Sequence, residues 1–104
     1  MNVFELTRQL IDIPSVTGDE LAVGKFVSNY LQELGYAVER QEVAPDRFNV
    51  IATTDAPARI VFSTHMDTVP PFIKSSEDQE FIYGRGSCDA KGIMAAQIFA
   101  AQRL

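Results

Sequence analysis

Arg59-Ile60-Val61-Phe62-Ser63-Thr64-His65-Met66-Asp67-Thr68-Val69-Pro70 is the stretch on which the fold turns. The uninterrupted Ile60-Val61-Phe62 leaves no polar face for solvent. It predicts a strand over 59–64 covered on both sides, as in the interior of a helix-flanked sheet. The polar cluster that follows sets an imidazole and a carboxylate at positions i and i+2, so His65 and Asp67 would project together from the C-terminal end of that strand. Ligand sites of open α/β sheets gather at that end.

Working outward, Asn2 and Glu5 form a loose capping box, and Val3, Leu6 and Leu10 with Phe4 and Ile11 predict a first helix over 3–12. Thr17-Gly18-Asp19-Glu20 reads as a second capping box. Leu21, Val23, Phe26, Val27, Tyr30, Leu31 and Leu34 then recur at helical spacing until Gly35. Past Gly35 the texture becomes β-branched and short, predicting strands over 36–43 and 48–54 before the one at 59–64. A polar loop over 70–80 leads to Phe81-Ile82-Tyr83 and Gly84-Arg85-Gly86. The last segment, 92–104, is a helix apolar on nearly every side, which needs protein around it on all sides. The expected architecture is α/β, a helix-flanked mixed sheet with two helices, about four strands and one buried C-terminal helix. Too few elements precede that helix to enclose it, so residues 1–104 are expected to be part of a larger domain.

The 104 residues allow one domain at most, and 46% apolar with 10% aromatic residues is ordinary globular composition. Nine basic against fourteen acidic residues give a net charge of −5, and no Lys/Arg cluster interrupts it, which argues against nucleic acid or an anionic membrane as partner. The single cysteine, Cys88, cannot form an internal disulfide. Glu5 and Arg8 break the apolar run that a signal peptide would need, so a cytoplasmic protein is expected.

Two constellations carry chemistry. A metal-binding histidine commonly donates its other ring N–H to a carboxylate, and Asp67 suits that role toward His65. Alone, the pair reads first as a strand end beside a turn. In Gly84-Arg85-Gly86-Ser87-Cys88-Asp89-Ala90-Lys91-Gly92 the glycines let the backbone turn tightly. Asp89 there could give one oxygen to each of two metals. Alone, it reads first as the cap of the following helix. Cys88 reads as a small buried side chain, since the neighbouring carboxylate disfavours a thiolate. Gly84-x-Gly86 is a poor phosphate loop, because Asp89 puts negative charge where a phosphate would rest. Arg85 and Lys91 could bind a substrate carboxylate or brace the loop.

Together and in this order, the two constellations resemble the zinc metallopeptidase and amidohydrolase family that contains acetylornithine deacetylase, succinyl-diaminopimelate desuccinylase, aminoacylase and bacterial glutamate carboxypeptidase. The match lies in His-x-Asp-x-Val-Pro after a hydrophobic strand, His65 to Pro70, and in Gly-Arg-Gly-x-x-Asp-x-Lys-Gly, Gly84 to Gly92. Ile13-Pro14-Ser15, Leu34-Gly35-Tyr36 and Phe48-Asn49-Val50-Ile51 support it. Thr64 departs from the glycine many members have before the histidine.

The resemblance implies that residues 1–104 are the N-terminal portion of a zinc aminopeptidase-like catalytic domain, incomplete and inactive alone, without the lid domain that commonly mediates dimerisation. It implies His65 as a ligand of one metal, Asp89 as the bridge between two zinc (or cobalt) ions, and Asp67 as the active-site carboxylate orienting His65. A cis peptide at Asp89-Ala90 is implied as well. The implied reaction is hydrolysis of an amide bond in an N-acyl amino acid or small peptide, with a general-base glutamate and the other ligands beyond residue 104. Two other readings stand beside it: a complete non-catalytic binding module retaining the motif, and a cysteine hydrolase using Cys88.

Overall fold

The computed structural model describes residues 1–104. Helix α1 (Val3–Ile11) starts where its cap residue dictates: Asn2 Oδ1 accepts the Glu5 amide at 2.9 Å, and the Asn2 amide donates back to Glu5 Oε1 at 3.3 Å. Helix α2 (Leu21–Glu33) ends in a Schellman motif, with Gly35 at φ +100°, its N–H on the Gln32 carbonyl and the Tyr36 N–H on the Leu31 carbonyl. The start of α2 differs from expectation. Glu20 is the cap residue and supplies no side-chain cap bond, its carboxylate accepting instead from the Gly18 amide and, in bidentate fashion, from Arg47.

Strands β1 (Ala37–Ala44) and β2 (Arg47–Thr53) pair antiparallel from Ala37 opposite Thr53 to Ala44 opposite Arg47, with Asp46 at φ 59° in the turn and a bulge at Val43. The hairpin leans on α2. Phe48 lies so close to Gly24 that an added Cβ there would stand 2.8 Å from its ring. The Arg40 guanidinium lies over that ring at 5.0 Å from its centroid, while its Nε donates to Ser28. A second, minimal hairpin joins β3 (Ser76–Glu77) to β4 (Ile82–Tyr83), antiparallel. Asp78 holds its turn by accepting the Glu80 and Phe81 amides and the Tyr83 hydroxyl. Helix α3 (Lys91–Ala101) closes the arrangement.

The core lies among the three helices. Leu6 and Leu10 of α1, Val23 and Val27 of α2, and Met94, Ala95 and Ile98 of α3 form one buried cluster. The α/β class agrees with the sequence pattern, as do β1, β2 and β4, whereas β3 falls in the stretch expected to be a polar loop. Both sheets are antiparallel, and the one parallel contact is the isolated bridge between Val16 and Thr68. The segment 59–64 is the main correction, because it forms no strand and pairs with none. Ile60, Val61 and Phe62 are 58, 82 and 44% exposed. An apolar run becomes a buried strand only when a neighbouring ladder and a cover exist, and here β1–β2 and β3–β4 pair only within themselves. Likewise α3 buries one face and leaves Ile93 about half exposed rather than enclosed. No helix is long and apolar enough to cross a membrane.

Truncating Leu10 to alanine should lower unfolding free energy by about 2–5 kcal/mol, because the cavity opens in the sealed cluster. Val61→Ser should change it by no more than about 0.5 kcal/mol. Urea unfolding of both variants checks this, and a Val61→Ser loss as large as that of Leu10→Ala would contradict the placement of segment 59–64.

Candidate metal centre

Two backbone hydrogen bonds hold the His65 loop to the turn before α2. The Thr68 amide donates to the Ser15 carbonyl at 2.9 Å, and the Thr17 amide donates to the Thr68 carbonyl at 3.1 Å. Ser15, fully buried, adds its hydroxyl to the Met66 carbonyl at 2.9 Å. Residues 66–68 are thus fastened on both sides of Asp67 without a sheet.

The glycine-rich loop presses against this segment from the other direction. Gly86, at φ +95°, passes so near Thr68 that an added Cβ would lie 3.0 Å from its methyl group; Gly84, at φ +139°, packs as tightly on Ile11. The Gly86 carbonyl accepts the Lys91 amide at 2.8 Å, which fastens the loop to the first turn of α3. Lys91 is buried and its ammonium donates to the Ile13 carbonyl at 2.7 Å; burial pushes its pKa down to about 8. Arg85 Nε donates to the Pro71 carbonyl at 3.1 Å. Both cations brace loops, which decides between the two roles open to them in the sequence.

At the meeting of the loops His65 stands between two carboxylates. Its Nε2 lies 2.8 Å from Asp89 Oδ1, and its Nδ1 lies 3.1 Å from Asp67 Oδ1 and 3.0 Å from the Asp67 carbonyl oxygen. Asp89 does not cap α3: Ala90 holds the cap position, and no side chain bonds there. The Asp89-Ala90 peptide is cis, as the resemblance implies. Cys88 is exposed rather than buried and makes no hydrogen bond with His65, whose ring nitrogens face the two aspartates.

The residue that sequence reasoning missed is Thr17. Its hydroxyl donates to Asp67 Oδ2 at 2.5 Å, so it serves the carboxylate fifty positions away instead of capping α2. Nothing local could reveal this, because the pairing depends on how the two loops meet.

The electrostatics follow from these contacts. The hydrogen bond to Asp89, then the Asp67 carbonyl and the two negative charges, raise the His65 pKa against some desolvation. The Thr17 hydroxyl foremost, and then His65, hold the Asp67 carboxyl below the usual range. A neutral imidazole has one N–H, so one aspartate must face a bare nitrogen lone pair unless a proton or a metal cation intervenes. At Nε2 the donor set, one imidazole nitrogen and one carboxylate oxygen converging, suits zinc. Within these residues no third His, Cys, Asp or Glu joins it.

A histidine backed by one carboxylate and facing a second is the arrangement of metal-dependent hydrolases. Residues 61–104, which span both loops, match the model of peptidase family M20/M25/M40. A peptidase M20 domain-containing protein of Schizosaccharomyces pombe is 40% identical over 99% of this chain and 27% of its own length. A probable carboxypeptidase of Emericella nidulans is 46% identical over 92% of this chain and 25% of its own, and one of Aspergillus clavatus is 40% identical over 89% and 26%. These matches make the chain similar to peptidase family M20/M25/M40, the family model covering its last 44 residues. It spans about a quarter of the length of the curated relatives it matches.

Without metal, the raised His65 value adds stability that is fully present below its ordinary 6.5 and is lost as pH rises through the raised value. The lowered Asp67 value adds stability that is present above its ordinary 3.8 and is lost as pH falls through the lowered value. Urea midpoints should therefore be higher at about pH 5.5 than at about pH 7.5, and His65→Ala should remove most of that difference. An equal difference in the variant would contradict the assignment.

Proposed function

We propose that His65 and Asp89 hold zinc in the active site of a hydrolase that cleaves an amide bond in an N-acyl amino acid or small peptide, with Asp67 orienting His65. The observation that carries this reading is the convergence of His65 Nε2 and Asp89 Oδ1 at 2.8 Å, with Asp67 behind the ring at Nδ1. By accepting the Nδ1 proton, Asp67 keeps the Nε2 lone pair available and makes the imidazole a better donor. The Asp89 side chain is 83% exposed, which leaves its carboxylate accessible to a second cation. When bound, a pair of zinc ions supplies a water acidified to near neutrality and a polarised scissile carbonyl.

In this proposal residues 1–104 are the N-terminal portion of the catalytic domain of a cytoplasmic enzyme. A catalytic zinc takes about three protein ligands, and this chain brings one histidine and one bridging aspartate to the site. The remaining ligands and the general base belong to further chain, and a lid domain mediates dimerisation of the whole protein. The carboxypeptidase names of the relatives support a substrate with a free carboxylate beside the cleaved amide.

Calorimetric titration of the 104-residue chain with zinc tests the reading. Saturable binding weaker than micromolar is expected, without turnover of N-acyl amino acids. His65→Ala and Asp89→Ala should each weaken it by at least about tenfold. Sub-micromolar affinity with measurable hydrolysis, or affinity indifferent to both substitutions, would show that the ligands are misassigned.

A further inference from the structure

The structure assigns Thr17 as a positioning residue for the candidate centre: its hydroxyl fixes the Asp67 carboxylate, and through it the ring of His65. The inference rests on the proposed reading of His65 and Asp89 as metal ligands. It adds a residue that lies outside both sequence constellations.

The geometry is that of a relay with one fixed end. Thr17 Oγ1 donates to Asp67 Oδ2 at 2.5 Å, leaving Oδ1 of the same carboxylate to face His65 Nδ1 at 3.1 Å. His65 Nε2 then faces Asp89 Oδ1 at 2.8 Å. The Asp67 side chain is 33% exposed, so without an anchor it could rotate into water. Thr17 is the side chain that bonds to Oδ2. The anchor is itself rigid, because the Thr17 amide bonds to the Thr68 carbonyl and the neighbouring Ser15 carbonyl accepts the Thr68 amide. One two-stranded contact, the isolated Val16–Thr68 bridge, therefore sets the distance between the hydroxyl and the carboxylate it holds. Because that bridge is made of main chain, it survives replacement of the Thr17 side chain.

Valine has the shape of threonine without the hydroxyl, and serine keeps the hydroxyl without the methyl group, so Thr17→Val and Thr17→Ser separate the hydrogen bond from packing. His65 is the only histidine, so its ring nitrogens give unambiguous ¹⁵N resonances through the carbon-bound ring protons. At about pH 5.5 the ring carries both protons and Asp67 is ionised, so each nitrogen reports its own aspartate. In Thr17→Val the Nδ1 resonance should move toward the position of a solvent-exposed imidazolium while Nε2 stays in place; Thr17→Ser should restore Nδ1. Zinc affinity should fall about tenfold in Thr17→Val and return in Thr17→Ser. An Nδ1 resonance unchanged in Thr17→Val, equal movement of both nitrogens, or failure of serine to restore Nδ1 would overturn the assignment. Absence of zinc binding in the unmodified chain would overturn the metal reading, and the Nδ1 result would still decide the role of Thr17.

Discussion

One neutral imidazole cannot donate to two carboxylates, and His65 has a carboxylate at each ring nitrogen. The arrangement is satisfied in two ways: by a second proton, which the raised His65 value reflects, or by a cation at Nε2 with the proton kept at Nδ1. The two outer carboxylates are not equivalent. Asp67 is half-buried, anchored by Thr17 and tied to the chain on both sides, whereas Asp89 is largely exposed at its side chain. In the proposed metal reading the fixed partner would hold the proton and the open partner would share the cation, which is the division of labour a metal-ligating histidine needs.

The scaffold serves that asymmetry. Leu6, Leu10, Val23, Val27, Met94, Ala95 and Ile98 set the three helices, and the helices in turn set where two loops cross. Close approach at the crossing depends on glycine: a side chain at Gly86 would push on the Thr68 methyl group, and one at Gly92 would collide with the Ser87 carbonyl oxygen. Lys91 spans the same region from below, its ammonium tied to Ile13 at the end of the segment that carries Ser15 and Thr17. Loops with so little regular structure keep their geometry through these contacts.

Local features were legible in the sequence and long-range ones were not. The α1 cap at Asn2, the Gly35 stop of α2 and the β1–β2 hairpin depend on residues a few positions apart, and they form as the pattern implies. His65 and Asp67 also meet as their spacing suggests, although no strand holds them. Segment 59–64 read as a buried strand because its composition suits one, yet a strand is defined by its neighbours, and none pairs with it here. Thr17 read as a cap because Glu20 follows three positions later; the carboxylate it serves lies on another loop. Asp89, equally suited to capping, turns to His65 instead. Cys88 read as buried because it is small and sits among glycines, but its loop faces outward.

Zinc K-edge X-ray absorption of the zinc-loaded chain tests the central claim most directly, because the chain has only one histidine and one cysteine. The account predicts a first shell of nitrogen and oxygen at about 2.0–2.2 Å with the outer-shell scattering of a single imidazole, lost in His65→Ala. A sulfur shell at about 2.3 Å, or an all-oxygen spectrum indifferent to His65→Ala, would contradict it.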